Sequence, residues 1–183
     1  MQSFVCGTRL CFGADAPAAL AGLHAERVLL VTDPYFAENG TAARYAAAFP
    51  GAQVEIFSDV APDPPLSLVA QGVARLQALQ PDTVLALGGG SAIDTAKIMW
   101  IMYEHPEEGF LDMATTFLDI RKRIRFFPQM GKKAKLVCIP TTAGTGSECT
   151  PFTIISDANT GMKWPLIGYE MMPEMAIIDA DNM

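Results

Sequence analysis

Gly88, Gly89, Gly90 and Ser91 stand directly after a short apolar run, Thr83 to Leu87, and directly before the helical spacing of Ile93, Ala96 and Ile98. Three successive glycines can take backbone angles closed to other residues. Without Cβ atoms they also let the main chain come within contact distance of a ligand. Ser91 reads as a helix N-cap, with Asp94 three residues on to complete a capping box. The order is then strand, glycine turn, helix start. Free backbone N–H groups and the positive end of a helix dipole converge on one spot, which suits a phosphate or pyrophosphate. The motif is neither G-x-G-x-x-G nor a Walker A loop, and a tight turn that binds nothing is the plain alternative.

A second candidate is the loop Pro140 to Glu148, Pro-Thr-Thr-Ala-Gly-Thr-Gly-Ser-Glu, which follows the apolar run Lys135 to Ile139. Small hydroxyls and glycines can surround a ligand with donors, although an ordinary Ser/Thr/Gly connector has the same composition. Between the two candidates, Arg121 to Lys135 holds seven of the thirteen basic residues and no acid. An anion patch, a solvated basic face and a subunit contact all fit that stretch.

The elements that must position these residues alternate. Phe4 to Phe12 reads as an opening pair of short strands around Gly7-Thr8, Ala16 to Leu23 as a helix, and Arg27 to Thr32 as a buried strand ending at Asp33-Pro34. A helix over Thr41 to Ala48, a strand over Gln53 to Phe57 and a proline-held loop from Ser58 to Pro65 follow. Helical spacing then runs from Leu66 to Leu79, ahead of the strand Thr83 to Leu87 and a helix over Ala92 to Tyr103. Glu107 to Leu118 reads as helical. Phe152 to Ser156 and Met162 to Leu166 flank the turn signal Asp157 to Gly161 as a β-hairpin, and Met175 to Ile178 is the last strand. Strands alternating with helices predict an α/β fold, a parallel sheet with helices on both faces, plus that hairpin. Ligands in such sheets sit at the carboxyl ends of the strands, where Asp33, Asp63 and Gly88 to Ser91 all fall.

Composition bounds the rest. The 183 residues, half of them apolar and 18% charged, suffice for one domain with a real core. A formal charge of −7 argues against nucleic acid as the main partner, since phosphate backbones are held by clustered Lys and Arg. No apolar run approaches the roughly 18 residues needed to span a bilayer, and the N-terminus lacks a signal-peptide pattern. The expected setting is therefore cytoplasmic, with no membrane partner. Cys6, Cys11, Cys138 and Cys149 show no C-x-x-C pair and read as free thiols.

Together, Gly88 to Lys97 and Pro140 to Glu148 resemble the two signatures of the iron-containing (group III) alcohol dehydrogenases. The pair is far more specific than either stretch alone. The similarity covers essentially the whole chain as that family's N-terminal NAD-binding domain, a Rossmann-like single domain over 1–183. Tyr103 to Lys135 looks most like the alcohol dehydrogenase half of bifunctional aldehyde-alcohol dehydrogenases. The start of the chain and Pro62-Asp63-Pro64 also resemble the family's propanol dehydrogenases.

The resemblance implies that a pyrophosphate lies on Gly89, Gly90 and Ser91, and that Thr141, Thr142, Thr145 and Thr150 line the cofactor cleft. It implies further that Asp33 takes the adenosine ribose hydroxyls and that Lys163 lies near the nicotinamide ribose. Asp94 matches an acidic residue at the cofactor's reactive end, the candidate catalytic residue, with the capping box as the alternative. In the family an aspartate and three histidines hold a metal in an all-helical second domain. This chain has only His24 and His105, at no ligand spacing, so that domain is read as absent and Fe²⁺ or Zn²⁺ is expected only in a full-length enzyme.

The implied function is NAD-dependent interconversion of a short primary alcohol and its aldehyde, with these residues alone inactive. The implied assembly is a homodimer joined through the N-terminal strands. Alternatives are a non-catalytic nucleotide-binding module, or a polyol dehydrogenase or dehydroquinate-synthase-like enzyme of the same superfamily.

Overall fold

Uninterrupted apolar strands need cover on both faces, and this chain supplies it by alternating strand and helix. The computed structural model describes residues 6–62, 64–107, 128–156 and 161–183. In chain order the elements are β1 (Arg9–Phe12), a 3-10 segment (Ala16–Leu23), β2 (Arg27–Val31), α1 (Pro34–Glu38), α2 (Thr41–Ala46), β3 (Gln53–Phe57) and α3 (Leu66–Leu79). They continue with β4 (Thr83–Gly88), α4 (Gly90–Glu104), β5 (Lys135–Pro140), β6 (Phe152–Ser156), β7 (Lys163–Ile167) and β8 (Met175–Ile178). Six strands form one parallel sheet in the order β1-β8-β5-β4-β2-β3. The pair β6-β7 is a separate antiparallel ribbon with Ser156 opposite Lys163.

Successive residues of the central strands serve opposite faces, as the two-residue period of a strand requires. Leu29, Val31, Val84, Ala86, Leu136 and Cys138 pack with α3 and α4 on one face. Val28, Leu30, Leu85, Leu87, Val137 and Ile139 pack with Leu20, Ala42 and Tyr45 on the other. Helix α4 lies between the sheet, α3 and the β6-β7 ribbon and is buried nearly all round, Ile93, Ile98, Met99 and Ile101 completely so.

Polar side chains fasten the ends of these elements. The buried Glu104 carboxylate accepts the amides of Lys132, Lys133 and Ala134 at 3.0, 2.8 and 2.7 Å, fixing the chain just before it enters β5. At the far end Tyr45 donates to Asp179 Oδ2 at 2.6 Å, and Arg44 reaches the same oxygen at 3.2 Å.

Several expectations need correction. The helix after the glycines starts at Gly90 with Gly89 as its N-cap, and no side chain caps it, so Ser91 and Asp94 do not form a capping box. With glycine at the cap no side chain covers the helix start, and Asp94 turns toward β6 instead. Asp33-Pro34 begins the short helix α1, since proline suits the first helical position and Asp33 caps it. The Ala16–Leu23 segment is 3-10; among the described residues the opening region contributes β1, paired with β8, while Phe4 and Val5 of the expected strand pair lie outside them. Residues 108–118 of the expected helix, residues 121–127 of the basic stretch, Asp63 and the turn residues 157–160 lie outside the described residues.

Candidate functional site

All six sheet strands run the same way, so the ends of β2, β4 and β5 open on one edge. There a cleft of about 640 Å³ is lined by Asp33 to Phe36, Val60 to Pro62, Gly89 to Ala92, Thr141 and Thr142. Its floor is the glycine turn. Gly88 has φ of +144°, and a Cβ there would meet the Ala92 Cβ at 2.7 Å, so only glycine fits. A Cβ on Gly89 would stand 3.2 Å from Thr142 Cγ2, while one on Gly90 would make only ordinary contacts, 3.6 Å, with Thr145 and Ser147. Thr141 N donates to Gly88 O at 3.1 Å, which seats the hydroxyl loop on the turn, and the Thr142 and Thr145 hydroxyls face each other at 3.4 Å.

Across the cleft, Asp33 Oδ1 accepts the Phe36 amide at 3.1 Å. Its Oδ2 faces the turn, 3.6 Å from where a Gly88 Cβ would be. Gly89, Gly90, Ser91, Thr141, Thr142 and Asp33 therefore converge, and Thr145 lies beside them on the loop.

The remaining predicted residues sit elsewhere. Asp94 is one turn deeper along α4. Its Oδ2 accepts the Ile154 amide at 3.1 Å, and its Oδ1 is buried without a hydrogen-bond partner. Burial pushes its carboxyl up to about 6, against the Ile154 amide, the Lys97 charge and the nearby Ser147 hydroxyl, which favour the ionised form. Thr150 presents its carbonyl to Lys97 Nζ at 2.6 Å and does not line the cleft. Lys163 opens β7, exposed and outside the cleft lining.

Tyr35, Phe36, Val60, Ala61 and Pro62 also line the cleft. Sequence reading did not propose them, because the short helix after Asp33 leaves no periodic signal. Lys97 was passed over too, although a lysine amid the apolar positions of a buried helix was the available sign.

No group of three His, Cys, Asp or Glu converges to hold a metal among the described residues. His105 engages Glu107 and the Gln129 carbonyl at 2.8 and 2.9 Å, and His24 ends the 3-10 segment in the left-handed region. The donors among the described residues do not fit a metal centre.

A family model described as "Iron-containing alcohol dehydrogenase" matches residues 7–180. The chain belongs to the iron-containing alcohol dehydrogenase family. Over 158 residues it is 49% identical to the bifunctional aldehyde-alcohol dehydrogenase AdhE of Escherichia coli, a match spanning 85% of this chain and 18% of that protein. Its fold superimposes on an iron-containing alcohol dehydrogenase from Thermococcus thioreducens with a TM-score of 0.85 at 28% identity, covering 98% of this chain and 47% of that one. It also matches a sulfoacetaldehyde reductase from Bifidobacterium kashiwanohense, solved in complex with NAD+, with a TM-score of 0.84 at 25% identity, covering 100% of this chain and 47% of that one. The chain thus spans less than half the length of these family members. Its described part is the parallel sheet and glycine-turn half of the iron-containing alcohol dehydrogenase fold.

Proposed function

We propose that residues 1–183 form one domain that binds NAD(H) for an alcohol dehydrogenase interconverting a short primary alcohol and its aldehyde. The observation that carries the reading is the uncapped start of α4 at Gly89 and Gly90, closed over by Thr142 and facing Asp33 across a cleft of about 640 Å³. Ala92 N and Ile93 N donate to Gly89 O at 3.1 and 3.2 Å, the Gly90 and Ser91 N–H groups precede the first of these bonds, and the helix dipole adds positive potential, so a pyrophosphate is the ligand that complements this end. The solved relative with NAD+ supports the same reading. Bound there, NAD supplies the acceptor for a hydride from the alcohol carbon.

The chain's own residues provide orientation. Asp33 would accept hydrogen bonds from the adenosine ribose hydroxyls, and Thr141, Thr142 and Thr145 would border the diphosphate. Asp94, with its free buried Oδ1, would face the nicotinamide end, nearer to which Thr150 and Lys163 are assigned. Asp63, which follows Pro62 in the sequence, is assigned to cofactor binding. The Fe²⁺ or Zn²⁺ expected in a full-length enzyme finds no ligand set among the described residues, and no step is derived through it. NAD binding without turnover is therefore the behaviour expected of these residues alone.

Two further assignments belong to this reading. The edge strand β1, with Phe12 fully on the surface at 76% exposure, supports pairing of two copies through the N-terminal strands. All four cysteines are free thiols, the state a reducing cytoplasm maintains.

Calorimetric titration of the 183-residue chain with NADH tests the central claim, expecting saturable binding at one site. Absence of binding by the folded chain would sink it. Alcohol-dependent NADH formation by the purified chain would overturn the assignment of these residues to binding alone.

A further inference from the structure

Lys97 is completely buried in α4, two turns beyond the glycine turn. An ammonium in such a place must be hydrogen-bonded and face compensating charge. Lys97 Nζ donates to Thr150 O at 2.6 Å and to Phe152 O at 2.9 Å. Asp94 on its own helix and Glu148 in the adjoining turn supply negative charge, and the Cys138 thiol of β5 and the Cys149 thiol are further neighbours in its electrostatic surroundings. Burial draws its pKa down, and those neighbours oppose that.

Both carbonyls belong to the segment by which the chain leaves the hydroxyl loop. The same segment is tied twice more to α4: Thr153 Oγ1 donates to Asp94 O at 3.0 Å, and the Ile154 amide donates to Asp94 Oδ2 at 3.1 Å. The loop's other end is seated by Thr141 N on Gly88 O. Between these anchors Thr142 and Thr145 are exposed, and they approach Gly89 and Gly90 from that side.

We propose that Lys97 is a positioning residue whose buried ammonium ties Thr150 and Phe152 to α4 and so sets how closely the Thr141-to-Ser147 loop approaches the glycine turn. A methionine would fill the same space and hold neither carbonyl. The ligand readout rests on the NAD(H) reading above; the loop readout does not.

The test compares wild type, Lys97→Met and Thr153→Val by titration with NADH and with AMP, whose adenosine faces Asp33 and makes the least use of the loop. Amide hydrogen exchange is followed in parallel. For folded Lys97→Met, NADH binding should weaken at least tenfold and AMP binding less than twofold. Exchange across residues 141–154 should quicken about tenfold while β2 is unchanged.

Wild-type NADH affinity in Lys97→Met, or equal losses for NADH and AMP, would overturn the proposal. So would exchange unchanged across 141–154. If wild type binds no NADH, the functional reading fails, and the exchange comparison alone judges Lys97. If Lys97→Met does not fold, Thr153→Val decides, since it loosens the same segment from the other side. It should weaken NADH binding about threefold, and unaltered affinity would refute the role.

Discussion

Asp33 Oδ1 accepts the Phe36 amide at 3.1 Å, so the carboxylate that faces the cleft also caps the helix that borders it. Two effects must therefore be separated in any variant. Asp33→Gly loses the charge and the capping oxygen, although glycine is tolerated at an N-cap and the lost cap costs only about a few tenths of a kcal/mol. Asp33→Ser keeps a capping oxygen and removes the charge together with the Oδ2 that faces the turn. A carboxylate there would repel the 2′-phosphate of NADP, so the ratio of NADP to NAD affinity should rise roughly a hundredfold in Asp33→Ser. Titrating both cofactors against both variants checks this, and an unchanged ratio would place cofactor choice elsewhere.

Gly88 and Gly90 of the turn should respond differently to substitution. Gly88→Ala forces a Cβ to within 2.7 Å of Ala92 at φ of +144° and should lower stability by about 2 kcal/mol. In Gly90→Val the first added carbon meets Thr145 and Ser147 at an ordinary 3.6 Å, so the fold should persist. Its branches would occupy the space a pyrophosphate needs. Urea unfolding should single out Gly88→Ala, and NADH titration should single out Gly90→Val. A Gly90→Val protein with wild-type affinity would leave the turn a purely structural device.

Burial raises the Asp94 carboxyl from 3.8 to about 6. The folded state then holds the proton more tightly than the unfolded state. Stability from this group is fully present below pH 3.8 and is lost as pH rises through about 6. The loss amounts to about 3 kcal/mol above that window. Asp94→Asn keeps an acceptor for the Ile154 amide without the charge. It should unfold at higher urea than wild type at pH 8, and the difference should vanish by pH 4. Parallel urea midpoints across that range would refute it.

Two glutamates offer a contrast in stability. Glu104 is buried and satisfies three backbone amides, whereas the partly exposed Glu55 meets the exposed Arg75 only at 4.0 Å. Glu104→Ala strands those amides and should cost on the order of 3 kcal/mol. Glu55→Ala should cost less than about 0.5 kcal/mol, because an exposed pair is screened by water. Urea denaturation of both variants measures the difference.

Read alone, the sequence determined the order of strands and helices, the parallel sheet and the edge where the glycine turn opens. Those follow from local rules: branched apolar runs such as Val28 to Val31 and Thr83 to Leu87 can only be doubly covered strands, and Leu66 to Leu79 repeats at helical spacing. Motif resemblance likewise pointed to the family. Tertiary structure alone decided which polar groups meet.

Asp94 was legible as an N-cap partner because capping is a matter of spacing, yet its carboxylate goes to Ile154, sixty residues away in sequence. Lys97 reads locally as an interruption of an apolar face. Only the packing of α4 beneath the segment 150–152 brings it two carbonyls. Tyr35 and Phe36 reach the cleft because Asp33 starts a helix where its Asp-Pro pair reads as a turn. Hydrophobic periodicity sets elements through neighbours one turn or two residues apart. Long-range polar pairing depends on where those elements pack, which local spacing does not encode.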